Sequence, residues 1–137
     1  MKRLFIICFT LLFFVIGCEE EENAIFTLKE VLNSFEQQGL IVEETRQKDH
    51  SIFGEKLYKK QPNLYLLNQK PLYIYIYNSS ANRIKAINEF RKKTEAVNLV
   101  SFNIYEKDNI LIFYFHEQDL EEDLGVDKLI KEALNNL

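Results

Sequence analysis

The stretch that decides the fold is 72-LYIYIYN-78. Aliphatic and aromatic residues alternate strictly, so Leu72, Ile74 and Ile76 point one way and Tyr73, Tyr75 and Tyr77 the other. A period of two belongs to a strand, because a helix would scatter both sets around its circumference. The aliphatic side is the expected core face, and the tyrosines should stand about 7 Å apart along the opposite face. A second strand, Leu64 to Leu67, precedes it, and Asn68-Gln69-Lys70-Pro71 between them has the composition of a hairpin turn. Downstream, Ser79 or Ser80 can cap a helix that runs to about Ala96. Ile84, Ile87 and Phe90 form its expected buried side, while Arg83, Lys85, Arg91, Lys92 and Lys93 make it basic.

The pattern continues on both sides of this unit. Val100 to Tyr105 and Ile110 to His116 read as two strands joined by Glu106-Lys107-Asp108-Asn109. Val126, Leu129, Ile130, Ala133, Leu134 and Leu137 define an amphipathic carboxy-terminal helix. Toward the amino end, Thr27-Leu28-Lys29-Glu30 fits a capping box, with Phe26 and Val31 placed for a hydrophobic staple. Leu28, Val31, Leu32 and Phe35 then recur at helical spacing, and Gly39 suits a left-handed C-cap. Leu40 to Glu44 is a further strand. Residues 45–63 are polar but contain Ile52, Phe53, Leu57 and Tyr58, and are read as loops around a short strand near Gly54 to Lys59. The order α-β-β-β-β-α-β-β-α is rich in hairpins and has no repeated βα unit. It predicts an α+β domain, a mainly antiparallel sheet with helices packed on one face.

The first residues belong to a different kind of segment. Lys2 and Arg3 are followed by an apolar run from Leu4 to Ile16, interrupted only by Thr10. Thirteen residues fall short of the roughly 20 that span a bilayer as a helix, and suit an export signal. The run ends in Val15-Ile16-Gly17-Cys18, which resembles the lipobox of bacterial lipoprotein signal peptides. That resemblance implies that residues 1–17 are removed and that Cys18 becomes an amino-terminal residue carrying a diacylglyceryl thioether. The implied location is the extracytoplasmic face of the cell membrane, with the two acyl chains as the membrane contact. Residues 18–25, with Glu19 to Glu22 adjacent, form an acidic tether whose like charges keep it hydrated. Residues 26–137 form a single domain. Within it, 98-NLVSFNIYEKDNILIFYFHEQD-119 is similar to small lipoproteins of Gram-positive spore-forming bacteria, a likeness that implies no catalytic residues.

The chain has 137 residues and a formal charge of −4, which becomes −6 when Lys2 and Arg3 leave with the signal. An acidic balance argues against nucleic acid or anionic headgroups as the main partner. The cysteines are Cys8, inside the signal, and Cys18, so the domain holds no pair for a disulfide and relies on its core. Neither His50 nor His116 has ligand spacing around it for zinc. Glu117, Asp119, Glu121, Glu122 and Asp123 offer oxygens that could attract calcium, but lack the spacing of an EF-hand loop. The same run suits the start of a helix, where negative charge complements the dipole. No nucleophile elbow or phosphate-binding loop occurs, so neither cofactor, metal nor catalytic group is expected.

These readings converge on a lipid-anchored, non-catalytic binding domain at the cell envelope, facing an envelope protein or polymer. Its expected contact surface is the tyrosine face, Tyr73, Tyr75 and Tyr77, since tyrosine combines apolar area with a hydroxyl. Two alternatives stay open. One is an immunity or protective lipoprotein that sequesters a cationic peptide through its acidic charge. The other is a small envelope hydrolase built on a histidine, a carboxylate and a hydroxyl.

Overall fold

The computed structural model describes residues 24–45, 51–99, 101–116 and 120–137, without the side chains of 120–123. Three helices and five strands follow one another: α1 (Leu28–Gln37), β1 (Val42–Glu44), β2 (Asn63–Leu67), β3 (Lys70–Ile76), α2 (Ser80–Thr94), β4 (Phe102–Lys107), β5 (Ile110–Phe115) and α3 (Leu120–Asn135). The strands form one antiparallel sheet in the order β1-β2-β3-β5-β4. The architecture is α+β, and the element order is the expected one. The short strand expected near Gly54 to Lys59 is reduced to a single bridge between Leu57 and Lys60.

Local chemistry explains the boundaries. Thr27 and Glu30 form the reciprocal capping box: the Glu30 amide donates to Thr27 Oγ1 at 3.3 Å, and the Thr27 amide donates to Glu30 Oε2 at 2.7 Å. The Thr27 amide and hydroxyl hold the Glu30 carboxyl below its usual range. At the other end Gly39 adopts φ +75°, and two amides close a Schellman motif. Leu40 N–H donates to Phe35 and Gly39 N–H to Glu36, both at 2.9 Å. Ser79 caps α2 by accepting from the Asn82 amide at 3.2 Å.

The layering differs from expectation. The sheet is covered on both faces, not one. Leu72, Ile74, Ile110, Ile112 and Tyr114 pack with Val31 and Phe35 of α1 and Ile130, Ala133 and Leu134 of α3. On the opposite face Tyr73, Tyr75, Tyr77, Leu111 and Phe113 pack with Ala86, Ile87 and Phe90 of α2 and with Phe53 and Leu57. β5 is the strand that requires this second layer. Its sequence ILIFYF is apolar at every position, and a strand apolar on both faces must be buried on both.

Within α2 the inner face also differs. Ala86, Ile87 and Phe90 are buried, whereas Ile84 is 48% exposed. At 100° per residue, position 83 is nearer the centre of that inner arc than position 84. Arg83 occupies it, its side chain only 15% exposed. It can do so because its guanidinium has partners there: Nε donates to the Asp108 carbonyl at 2.8 Å, and Nη1 meets the Glu106 carboxylate.

Candidate functional site

The tyrosine face is buried and does not have the role expected of it. Tyr73, Tyr75 and Tyr77 are 3%, 0% and 4% exposed. They cannot form a docking surface, because α2 and residues 51–62 cover them. Their hydroxyls serve that cover instead. Tyr75 Oη lies 2.7 Å from both the Phe53 and the Glu55 carbonyls, and Tyr77 Oη donates to the Leu57 carbonyl at 3.2 Å. Residues 51–62 lack a sheet ladder of their own, so buried carbonyls there need other donors, and the tyrosines supply them. Burial, helped by the nearby Glu89, raises the Tyr77 hydroxyl well above the ordinary tyrosine range, so it stays a donor. Tyr75 and Tyr77 stack with centroids 6.1 Å apart and planes 3° from parallel.

Phe53 holds the segment down from within. Its ring lies 4.4 Å from Phe115, 4.9 Å from Phe102, 5.3 Å from Phe90 and 5.5 Å from Phe113, centroid to centroid. This aromatic packing and the tyrosine hydroxyls place the turn Leu57-Tyr58-Lys59-Lys60 beside α2. Tyr58 and Lys59 have φ of 42° and 65°, the left-handed pair of a two-residue hairpin turn. Asparagine and glycine favour that geometry; tyrosine and lysine adopt it at a cost on the order of 1 kcal/mol each.

Contacts with α2 hold the turn in place. The Tyr58 amide donates to Glu89 Oε2 at 2.9 Å. Lys85 Nζ lies 5.2 Å from the Tyr58 ring centre and 3.2 Å from its hydroxyl. Lys93 Nζ lies 3.0 Å from Glu89 and 3.5 Å from Glu55. Burial alone would raise the Glu89 carboxyl, but the Lys93 ammonium and the Tyr58 amide outweigh it and hold it below its usual value. The hydrogen bond to Glu89 correspondingly raises Lys93, against a smaller opposing effect of burial.

The resulting layer is basic although the chain is acidic. α2 carries Arg83, Lys85, Arg91, Lys92 and Lys93 against Glu89 alone, and residues 51–62 add Lys56, Lys59 and Lys60 against Glu55. Both arginines pair with Glu106 of β4, Arg83 from the inner side and the exposed Arg91 at 3.4 Å. The lysines face solvent: Lys56, Lys59, Lys60, Lys85, Lys92 and Lys93 are all exposed. The layer across the sheet is different. Lys29 stands against Glu30 and Glu36 in α1, and in α3 Lys128 pairs with Glu132 at 3.7 Å and Lys131 with Asp127 at 2.7 Å. Charge is therefore sorted across the sheet.

A third feature lies where the amino-terminal segment meets the domain. Asn109 is fully buried and clamps Phe26, donating to its carbonyl and accepting from its amide, each at 2.8 Å. The same side-chain amide donates to the Tyr77 carbonyl at 2.8 Å. Beside this clamp Ile25, Phe26, Leu28, Lys60, Ile76 and Asn78 help line an open hollow of about 740 Å³. Smaller hollows of about 270 and 350 Å³ lie beside α1 and β4.

Cys18, residues 19–23 of the acidic tether, His50 and Glu117 to Asp119 lie outside the described residues, and so do the side chains of Glu121 to Asp123. His116 follows β5, its amide donating to the Ser101 carbonyl at 3.3 Å, and lines none of the three hollows. Among the described residues no three histidine, cysteine or carboxylate side chains gather as a metal site, and no helix is long and apolar enough to cross a membrane. Compared with the models of known protein families, with curated proteins and with solved structures, the chain matches none.

The sequence reading missed the basic turn for a definable reason. Residues 51–62 carry neither a helical nor a strand period, and their position beside α2 depends on side chains 20 residues away. One signal was available: Phe53 and Leu57 are too apolar for a free loop, so something had to cover a face with them.

Proposed function

We propose that this chain is a lipid-anchored extracytoplasmic protein whose folded domain binds a component of the cell envelope without catalysing a reaction on it. The observation that carries the binding half is the sorting of charge across the sheet, which sets a lysine-rich layer on a scaffold with a closed aromatic interior. The binding surface is then the outside of α2 with the Tyr58-Lys59 turn, in place of the buried tyrosines. The anchoring half rests on Val15-Ile16-Gly17-Cys18 after a short apolar run. Both halves fit together sterically. Eight residues from Cys18 to Ile25 reach at most about 27 Å, and Asn109 fixes the point at which that tether meets the domain.

Two measurements test this reading. Cys18→Ala should abolish incorporation of a labelled fatty acid and release the protein from the membrane fraction; labelling that persists on the variant would refute the anchor. Crosslinking of intact cells through a photoreactive residue at position 92 should recover envelope material, and the same probe at exposed Asn33 should not. Equal recovery from both positions would remove α2 as the binding surface.

A further inference from the structure

The lysine layer has a shape as well as a sign. Lys85 and Lys92 lie seven residues apart on α2, two turns and about 10 Å along one side of the helix. Glu89 between them is already engaged by Lys93 and by the Tyr58 amide, so it does not interrupt the stripe with a free negative charge. The 57–60 turn adds Lys59 alongside, with the half-buried Tyr58 ring under Lys85. α2 starts just after Tyr77, whose amide donates to Asn109, the residue that holds Phe26. The stripe therefore leads away from the Asn109–Phe26 clamp, over the roughly 10 Å between Lys85 and Lys92.

Resting on the binding surface proposed above, we propose that the occupant is a linear polyanion of repeated phosphate groups lying along α2, with Lys59, Lys85 and Lys92 as its main contacts. A broad anionic membrane would also meet the acidic remainder of the chain, whose net charge is −4, whereas a flexible phosphate polymer can follow the lysine stripe alone. Lysine suits this ligand, since an ammonium on a flexible stem serves successive phosphates as a point charge and demands no planar geometry. Tyr58, held in the left-handed region, places its ring and hydroxyl against Lys85 Nζ and so fixes that ammonium beside the turn.

The test uses the full-length chain in non-ionic detergent, with end-labelled inorganic polyphosphate as the probe and fluorescence anisotropy as the readout. Binding should weaken linearly in log Kd against log salt concentration. The variant Lys59→Glu/Lys85→Glu/Lys92→Glu should weaken it by roughly tenfold or more, because three reversed charges face the same polymer. Lys29→Glu/Lys128→Glu/Lys131→Glu reverses as many charges on the other layer and should leave it nearly unchanged. Circular dichroism melts of both variants establish that each is folded. Equal loss in the two variants would reduce the effect to net charge and overturn the inference. So would absence of polyphosphate binding, or selective binding to vesicles of 30% phosphatidylglycerol in phosphatidylcholine, which would assign the stripe to the membrane. Envelope material still crosslinked at position 92 in that event would overturn the phosphate polymer and leave the binding surface standing.

Discussion

The two faces of the sheet are built from the same strands and solve the same burial problem differently. Against the aliphatic face, α1 and α3 pack as two regular helices, touching each other and the sheet, and Ser34 Oγ donates to the Ala133 carbonyl at 2.6 Å between them. Their backbone groups are satisfied internally, so that face needs little more than shape. Against the aromatic face there is one helix, α2, and an irregular segment whose carbonyls depend on tyrosine hydroxyls. Aliphatic residues suffice under helices; a non-helical cover requires side chains that are large and can also donate. The alternation of isoleucine and tyrosine in 72-LYIYIYN-78 thus separates two kinds of inside.

The comparison can be broken most severely at Phe53. Phe53→Ala should cost about 3–5 kcal/mol in urea unfolding, since it removes the ring at the centre of five others contributed by α2, β3, β4 and β5. On the aliphatic face Ile130→Val removes one methyl beneath a regular helix and should cost only about 0.5–1.5 kcal/mol. Comparable losses would mean that the aromatic layer is not the keystone of its face.

Asn109 tests the joint between the faces. Asn109→Ala leaves the Phe26 and Tyr77 backbone groups without their side-chain partner, at about 1–3 kcal/mol. Hydrogen exchange should rise at Phe26 and at the start of α1. Protection unchanged there would show that the capping box alone fixes the tether's point of attachment.

Much of this fold is visible in periodicity, and the limits have physical causes. The caps at Thr27 and Gly39 are local devices, so sequence alone places them, and it narrows the cap of α2 to Ser79 or Ser80. Strand alternation likewise identifies which residues share a face, but not which faces are covered. Burial of both depended on β5, where ILIFYF leaves no polar side, and that run was the available clue to a second layer. Ile84 and Arg83 exchanged places for a related reason: hydrophobicity orders residues by transfer cost, and it cannot register that Glu106 and the Asp108 carbonyl wait at the inner position. The proposed binding surface was least legible because it joins a turn at 57–60 to a helix at 80–94 through contacts that no local pattern encodes.

A smaller effect separates the hydroxyls from the rings. Tyr75→Phe keeps the aromatic packing and removes the donor to the Phe53 and Glu55 carbonyls, which should cost about 1–2 kcal/mol. The loss should be accompanied by faster exchange within 51–62 and no change in α1 or α3. A uniform increase across the domain would instead mean that the hydroxyl supports the whole core.

The smallest effects belong to the turn itself, and their sign distinguishes a binding device from a structural one. Glu89 has a depressed folded-state value, so its contribution is fully present above the unfolded value of 4.5 and is lost as pH falls below it. Its partners are partly exposed, which limits that contribution to a fraction of a kcal/mol. Acidification below 4.5 should therefore loosen the Tyr58 amide before the domain unfolds, and Glu89→Gln should largely remove this pH dependence. Replacing Tyr58-Lys59 by Asn-Gly acts in the other direction. It relieves two strained φ angles and should raise stability by about 0.5–2 kcal/mol, while removing the ring beneath Lys85 and one lysine of the stripe. A variant that melts higher yet binds polyphosphate less tightly is the signature expected of strain kept for recognition. Should the variant instead lose stability, the turn would be repaying its strain through contacts with α2, and the aromatic face would need Tyr58 for its own cohesion.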